Sequence, residues 1–262
     1  MDSKPIIVVS KCLTGEKVRY NGETISDASI VILSEITEIV PFCPEIEANL
    51  GVPRNPLILV KKKRRRLIVQ EEKTGIDRTE LLKNVCESFL SKLHFVDGFV
   101  LKSKSPSCGW KSAKIYDANG LEVSRKGRGI FAKSIQRHFR NVPIVEEVDL
   151  KLEDKKKNFI VRVFLSSWIR KKTKEDFKSQ FDDSILEILK INSHLLLSQN
   201  FSDGTAINPR KNEGDLKKTL FTRLSRNAVY RLYSLFEEIY QFNCCSGRGE
   251  MLKNNVRNHG RT

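Results

Sequence analysis

Three of the six cysteines in this chain follow short apolar segments that are typical of buried strands. Cys12 follows the first such segment, Cys43 the second and Cys108 a later one, with 30 and then 64 residues between them. Three thiolates are soft ligands that suit an iron–sulfur cluster or zinc, and a set of three leaves one metal position open. The alternative is three buried thiols without a ligand, because the chain has no compact Cys-x-x-Cys pair.

The elements around the cysteines predict how thiols far apart in sequence reach one place. Strand-like segments alternate with helix-compatible ones, which favours an α/β fold with a Rossmann-like, mostly parallel sheet and flanking helices. Since ligands bind outside the carboxyl ends of parallel strands, we expect the three cysteines to converge at one edge of that sheet. The predicted strands are 6–9, 39–42, 57–60, 67–69, 98–101, 115–116, 121–123 and 143–145, and the predicted helices are 27–34, 77–94 and 129–140.

Two pairs of these strands are predicted to form hairpins. The basic run Lys61–Arg66 lies at the tip of the first hairpin, and Asp117–Gly120 forms the turn of the second, where Asn-Gly tolerates positive φ. A run of like charges on one exposed turn would favour contact with the phosphates of a nucleic acid. The first hairpin tip is therefore a candidate contact for a nucleic acid.

After the last predicted strand the pattern changes to long helix-compatible segments with few strand signals. We predict a boundary near Lys151–Asn158, which separates an α/β domain over 1–150 from a smaller all-α domain over 151–262. The helical half is the more basic, with a net charge of +9 against +6 for the first half. Its basic and aromatic side chains interleave, as in Trp168–Lys172 and Tyr230–Tyr233, which suits phosphate binding, although such aromatics are more often core residues.

The composition indicates which partners and which cellular location to expect for this protein. The 262 residues include 47 Lys and Arg against 32 Asp and Glu, and the formal charge of +15 favours polyanionic partners and a monomer. No apolar run is long enough to span a bilayer, and the N-terminus lacks the pattern of a secretory signal, so we expect a cytoplasmic protein without a disulfide framework. Cys86 is expected in a helix core, and Cys244, Cys245 and the histidines are weak ligand candidates.

Five short motifs occur in one order over the predicted α/β domain, and together they closely resemble the thiouracil desulfidase family. The motifs are Val9-Ser10-Lys11-Cys12-Leu13-Thr14-Gly15, Val18-Arg19-Tyr20-Asn21-Gly22, Cys43-Pro44-Glu45, Val52-Pro53-Arg54 and Lys102-Ser103-Lys104-Ser105-Pro106-Ser107-Cys108-Gly109. The resemblance implies an enzyme that removes sulfur from free thiouracil or from 4-thiouridine in transfer RNA. The C-terminal half loosely resembles the helical domain that is fused to the transfer RNA enzymes.

The resemblance also implies a cofactor and a set of site residues. Cys12, Cys43 and Cys108 match the ligands of a 4Fe-4S cluster in which one iron stays open to the sulfur of the substrate. Glu45 and Ser105 match the catalytic acid/base and hydroxyl positions. Asn21 stands where the family usually has Asp, which would alter any proton transfer through that side chain. The residues expected to contact substrate are Ser10, Arg19, Asn21 and Lys104.

Elementary chemistry favours the same activity. Replacing C=S by C=O needs a thiophilic Lewis acid, which an iron with an open position provides, and a carboxylate that activates water and delivers protons. The net reaction is a hydrolysis that releases sulfide, so no redox partner is needed. The competing interpretation is a non-catalytic iron–sulfur or zinc protein that binds nucleic acid and senses metal or redox state. Within the site, the alternatives are a solvated loop carboxylate at Glu45 and a turn residue at Ser105.

Overall fold

The computed structural model describes residues 4–62, 66–171 and 226–240. These residues form an α/β fold, which confirms the predicted class, and no helix among them is long and apolar enough to cross a membrane. The middle of the basic hairpin tip, most of the predicted helical domain, and Cys244 and Cys245 lie outside the described residues.

The strands are β1 (Ile6–Ser10), β2 (Glu38–Phe42), β3 (Leu57–Lys61), β4 (Leu67–Glu71), β5 (Gly98–Leu101), β6 (Ala113–Tyr116), β7 (Glu122–Gly127) and β8 (Ile144–Glu146). The helices are α1 (Ala28–Ile36), α2 (Pro44–Glu47), α3 (Thr79–Lys92), α4 (Ile130–His138), α5 (Glu153–Lys171) and α6 (Arg226–Tyr240), with single 3-10 turns at Lys11–Leu13 and Asp149–Lys151.

Four strands form a parallel sheet in the order β2-β1-β5-β8. β1 lies between β2 and β5, and its Ile7, Val8 and Val9 side chains are fully buried, as expected for a central strand covered on both faces. One face packs against α1, α5 and α6, and the other face packs against α3 and α4. Because the strands run in one direction, the segments that follow them all emerge at the same edge of the sheet.

The two predicted hairpins form a second, mixed sheet in the order β4-β3-β6-β7. Each hairpin is antiparallel as predicted, and β3 and β6 also pair in parallel, which joins the hairpins to each other. Leu59, Val69 and Ala113 of this sheet are fully buried in the core that also contains α3 and α4. The sequence alone does not predict that β3 pairs with β6, because the residues of a short apolar strand do not specify which other strand it pairs with.

The described helices of the C-terminal half cover one face of the parallel sheet. Val163 of α5 lies over Gly98 at the start of β5, where an added Cβ would come within 2.6 Å of the Val163 side chain. α6 packs on α5, and the rings of Phe164 and Phe236 stack with centroids 5.4 Å apart. These helices therefore share a core with the α/β region, while a separate all-α domain over 151–262 stays a prediction.

Candidate metal centre

The three cysteines lie where three neighbouring strands end. Cys12 sits in the 3-10 turn after β1, Cys43 lies directly after β2 at the start of α2, and Cys108 lies in the loop after β5. Because β2, β1 and β5 are adjacent and parallel, their carboxyl ends bring the three thiols to one edge of the sheet. The structure thus brings the candidate ligands together, whereas their binding of a metal stays a prediction.

The thiols are close enough to influence one another electrostatically. Burial, followed by the Cys43 thiol, raises the pKa of Cys12 to about 12. Burial also raises the pKa of Cys108 well above its ordinary value, with further increases from Cys43 and Cys12. For Cys43, burial and then the Glu45 carboxylate raise the pKa. Two buried thiols and one half-buried thiol whose pKa values are all raised fit a site for a cationic group, since coordination to metal deprotonates a thiol outright.

A single ion and an iron–sulfur cluster need different arrangements of the thiols. Within the described residues, no three His, Cys, Asp or Glu side chains approach closely enough to hold one metal ion. A zinc ion needs its thiolate ligands at about 2.3 Å from a single point, whereas an iron–sulfur cluster accepts thiolates spread around a larger body. Cys86, the other buried cysteine, lies in the apolar core of α3 as predicted.

Two side chains beside the thiols oppose the effect of burial. The Ser10 hydroxyl lowers the pKa of Cys108 by hydrogen bonding to it, and the same oxygen accepts the Lys102 backbone N–H at 2.9 Å. The Lys102 ammonium group lowers the pKa of Cys12. Ser10 therefore contacts a candidate metal ligand and ties the end of β1 to the end of β5. Its predicted contact with substrate stays a prediction.

The Glu45 carboxylate is held by two donors beside Cys43. Its Oε2 accepts the Arg54 Nε–H at 2.7 Å, and its Oε1 accepts the Ser107 hydroxyl at 2.8 Å. The side chains of Arg54 and Glu45 are 6% and 13% exposed, and Ser107 is fully buried. A buried pair of this kind fixes geometry more than it adds stability. Glu45 is therefore an oriented, mostly buried carboxylate, and the alternative of a solvated loop group does not hold.

Arg54 also ties Glu45 to the loop that carries the second motif. Its guanidinium donates to the backbone oxygens of Val18 at 2.9 Å and Gly51 at 2.8 Å, and its backbone N–H donates to the Tyr20 oxygen at 2.9 Å. These bonds hold that loop next to the carboxylate. Arg54 belongs to the Val52-Pro53-Arg54 motif, and an arginine in a short motif that follows a carboxylate motif is the sequence signal that points to it.

The loop that carries Cys108 is shaped by its own serines. Ser105 Oγ accepts the backbone N–H groups of Ser107 at 3.2 Å and Cys108 at 3.0 Å, a turn that serine commonly forms. The loop rests on the start of α4, where the Gly129 N–H donates to the Gly109 oxygen at 2.8 Å. Ser107, which the sequence analysis passes over, is the serine that contacts the carboxylate. Ser105 shapes the turn, and its catalytic role stays a prediction.

A second buried carboxylate, which the sequence analysis does not identify, lies at the same edge of the sheet. Glu147 directly follows β8 and is 5% exposed. Its Oε1 accepts Lys102 Nζ at 2.5 Å and the Ser103 hydroxyl at 2.6 Å, and its Oε2 accepts the Ser103 N–H at 2.6 Å. Glu147 raises the pKa of Cys12, which places this ion pair beside that thiol. Its position after a predicted strand is the sequence signal that points to it.

The other residues expected to contact substrate lie in loops. Arg19 Nη1 donates to the Glu23 carboxylate at 2.6 Å, and its guanidinium lies 5.9 Å from the centroid of the Tyr20 ring. Asn21 Oδ1 accepts the Glu23 backbone N–H at 3.2 Å and so shapes a turn. Lys104 is exposed and has a φ of 61°. The roles of these three residues in substrate binding stay predictions.

Known proteins are similar to the N-terminal half of this chain, which contains the three cysteines. A family described as 2-thiouracil desulfurase matches residues 7–147. The uncharacterized protein YbbK of Bacillus subtilis (strain 168) is 28% identical over 138 residues, which are 50% of this chain and 90% of that protein. The solved structure of the 4Fe-4S-dependent thiouracil desulfidase TudS shares 28% identity over 57% of this chain and 94% of its own, with a TM-score of 0.45. Because the family match covers more than half of the chain and contains all three motif cysteines, this protein belongs to the 2-thiouracil desulfurase family.

Proposed function

We propose that this protein removes sulfur from a thiolated uracil, either the free base or 4-thiouridine in transfer RNA, and yields uracil or uridine and sulfide. A 4Fe-4S cluster held by Cys12, Cys43 and Cys108 is part of the proposal. The observation that carries it is the oriented Glu45 carboxylate beside three converging thiols. Membership in the 2-thiouracil desulfurase family supports the same chemistry.

The donor set of the site fits such a cluster. Three soft thiols converge at the carboxyl ends of adjacent parallel strands, and soft ligands of this kind suit an iron–sulfur cluster. When bound, the cluster would supply a thiophilic Lewis acid with one iron position open to sulfur. Burial raises the pKa of Cys12 and of Cys108, and Lys102 and the Ser10 hydroxyl oppose this rise at Cys12 and Cys108 respectively.

Glu45 is the residue proposed to hold and move protons. Hydrolysis of C=S by water forms a C–O bond, breaks the C–S bond and passes two protons from water to sulfide, with no change in oxidation state. A carboxylate at this place can take a proton from the attacking water and return it to the leaving sulfur. Arg54 and Ser107 hold the two carboxylate oxygens of Glu45 in one orientation. The side chain therefore does not have to change rotamer before it transfers a proton.

Ser105 and the loop residues are proposed to orient the substrate. Ser105 Oγ accepts two backbone N–H groups, and in the proposal its hydroxyl hydrogen is donated to the ring edge of the pyrimidine. Arg19 and Asn21 lie in the loop that Arg54 holds next to Glu45, which supports their part in binding. Lys104 is proposed to stabilise negative charge on the substrate.

A transfer RNA substrate is supported by the charge of the chain. The net charge is +15, and the exposed Lys61, Lys62 and Arg66 flank the tip of the β3–β4 hairpin. The Lys62 N–H donates to the Arg66 oxygen at 2.8 Å, which continues the hairpin pairing into the basic run. Basic groups on one turn suit contact with a phosphate backbone. RNA binding by the helical half, the monomeric state and the cytoplasmic location stay predictions.

The proposed role of Glu45 is tested by Glu45→Gln in anaerobically prepared protein, with Glu47→Gln as the matched control. Glu47 lies exposed on the same short helix, two residues away. We expect Glu45→Gln to retain iron and sulfide and to lose turnover of thiouracil by about 100-fold or more, the size typical of a lost general acid–base group. Glu47→Gln should keep both.

Wild-type turnover in Glu45→Gln would contradict the proposed role of Glu45, whereas no turnover in wild-type protein that retains its iron and sulfide would favour the non-catalytic sensor. The cluster content separates this outcome from a simple failure to assemble the site. Iron and sulfide are therefore measured in the same samples as the loss of thiouracil absorbance.

A further inference from the structure

Glu146, another buried carboxylate, ends β8 directly before Glu147. It is 6% exposed, and its Oε1 accepts three donors from the segment that enters β6. The donors are the Trp110 N–H at 2.7 Å, the Lys111 N–H at 3.2 Å and the Ser112 hydroxyl at 2.7 Å. Hydrogen bonds to a carboxylate are stronger than those between neutral groups, so one oxygen of Glu146 holds three consecutive residues in place.

The two glutamates hold opposite ends of one loop, residues 102–112, which joins β5 to β6. Glu147 binds its first two residues, Lys102 and Ser103, whereas Glu146 binds its last three. The residues between these ends include Ser105, Ser107 and Cys108. Because Glu146 and Glu147 are adjacent in sequence, the end of β8 fixes both ends of the loop relative to each other.

The Ser112 hydroxyl also links the end of this loop to its start. Its Oγ accepts the Lys104 backbone N–H at 2.6 Å while it donates to Glu146. A serine hydroxyl has one hydrogen, and since that hydrogen is given to the carboxylate, the lone pairs of the oxygen are left for the Lys104 N–H. Glu146 therefore fixes the direction of the Ser112 hydroxyl, and Ser112 in turn holds the backbone at Lys104.

Lys104 has a backbone conformation that its neighbours must hold. Its φ of 61° lies in the left-handed region, which residues other than glycine seldom adopt. Such a conformation persists where the surrounding structure over-determines it, and it is common at functional sites. Lys104 is exposed, so its backbone, and not packing of its side chain, sets where its ammonium group can reach. The hydrogen bond to Ser112 is a contact that holds this backbone.

We propose that Glu146 and Ser112 are positioning residues for the desulfidase reaction, which present the Lys104 ammonium group to the substrate. Both act through the Lys104 backbone and not by contact with the thiolated uracil. The inference rests on the proposed function, in which Lys104 stabilises negative charge on the substrate. A small displacement of a charged group from its partner is enough to lose much of its contribution to the rate. Both positioning residues lie outside the five motifs, one before β6 and one at the end of β8.

The test is a double-mutant cycle on turnover of thiouracil by anaerobically prepared protein, with Ser112→Ala, Lys104→Met and the two combined. We expect each single variant to lower kcat/KM about tenfold, the size expected for one charge-assisted contact. The combined variant should lose no more than Lys104→Met alone, to within about twofold, because Ser112 acts only through Lys104. Losses that multiply in the combined variant, or wild-type kcat/KM in Lys104→Met, would overturn the inference.

Three further variants and one rescue separate positioning from stability. Ser112→Thr keeps the hydroxyl and should keep kcat/KM within about threefold of wild type. Ser124→Ala is the matched control and should change kcat/KM less than about twofold, because Ser124 is also half-buried and its Oγ accepts a backbone N–H, that of Lys126, at 3.1 Å. Glu146→Gln should lower kcat/KM about tenfold, whereas Glu71→Gln, which alters a buried carboxylate at the end of β4, should not. Equal losses in Glu146→Gln and Glu71→Gln would show that Glu146 acts through stability alone.

Amide hydrogen exchange, followed by mass spectrometry over residues 102–106, gives a result that does not depend on activity. Ser112→Ala should speed exchange of the Lys104 N–H about tenfold, since its acceptor is removed, while Ser124→Ala should leave that exchange unchanged. Unchanged exchange in Ser112→Ala would overturn the inference. Faster exchange in Ser112→Ala together with no turnover of thiouracil in wild type would contradict the proposed function alone.

Discussion

The orientation of Glu45 depends on two donors that come from different loops. Arg54 Nε holds one carboxylate oxygen and the Ser107 hydroxyl holds the other. Ser107 is the better residue to vary, because Arg54 also binds the backbone of two other loop positions. Removal of the Ser107 hydroxyl therefore tests whether the orientation of the carboxylate matters, and it leaves the neighbouring loop in place.

Ser107→Ala should lower kcat for thiouracil about tenfold with little change in KM, since a lost hydrogen bond to a carboxylate costs about 1.5 kcal/mol. Ser134→Ala is the matched control, because Ser134 is also fully buried and also donates to a glutamate, Glu87, at 2.8 Å. Both variants should lose similar stability in thermal unfolding. An equal loss of kcat in the two variants would show that Ser107 acts through stability alone.

The sequence shows which residue types could form the site, but it does not show how their side chains are oriented. The cysteines and Glu45 are predictable because their chemistry is specific and each follows a predicted strand. Ser105 and Ser107 lie two residues apart in one loop, and the sequence does not distinguish their roles. The structure shows different contacts for the two: Ser105 Oγ accepts backbone N–H groups of the loop, and the Ser107 hydroxyl donates to Glu45.

At the scale of elements, the loop that carries Cys108 depends on its contact with α4. A Cβ added at Gly129 would lie 2.5 Å from the Ser107 carbonyl carbon and 2.7 Å from the Cys108 nitrogen. These are backbone atoms, so the loop itself would have to move. Gly129 has a φ of −65°, which any residue can adopt, so the need for glycine is one of space alone.

Gly129→Ala should lower the free energy of unfolding by about 1–3 kcal/mol, the cost typical of overpacking, and should reduce the bound iron. Gly120→Ala is the control, because Gly120 has a φ of +83° with nothing within 4 Å of an added Cβ. That change should cost about 1 kcal/mol through backbone strain and leave the iron content unchanged. Full iron content in Gly129→Ala would show that the loop tolerates the shift.

Glu71, the last residue of β4, binds side chains from the segment before β3, the turn after β4 and the residue before α3. Its carboxylate accepts Thr74 Oγ1 at 2.7 Å, Asn55 Nδ2 at 3.1 Å and Arg78 Nε at 2.8 Å. These bonds, with that of Thr74 the largest, lower the pKa of Glu71 from 4.5 to about 2. Because the pKa is lower in the folded state, the carboxylate stabilises the fold above about pH 4.5, and this stabilisation is lost as the pH falls toward 2.

Glu71→Gln should therefore reduce the free energy of unfolding most at about pH 6, and the difference from wild type should shrink between about pH 4.5 and pH 2. Denaturant unfolding of both proteins across that range measures it. A difference that stays constant with pH would contradict the assigned hydrogen bonds.

At the scale of the whole molecule, the order of the strands brings the site together. Apolar β-branched segments predict the strands themselves, and the alternation with helices predicts a parallel sheet. The order β2-β1-β5-β8 and the pairing of β3 with β6 depend on which strands meet across long stretches of chain, and local sequence does not encode that choice. Glu147 reaches the site through this order, whereas Arg54 reaches Glu45 locally, nine residues along the chain, and the sequence does not show that contact because it depends on how the loop after α2 folds back.

The most direct test of the account is the iron and acid-labile sulfide content of anaerobically purified protein, with its visible spectrum. We predict about four of each per chain in wild type, loss in Cys108→Ser, and retention in Cys86→Ser, which alters a buried thiol of the helix core instead. Zinc without sulfide, no metal at all, or equal iron in Cys108→Ser and Cys86→Ser would contradict the account.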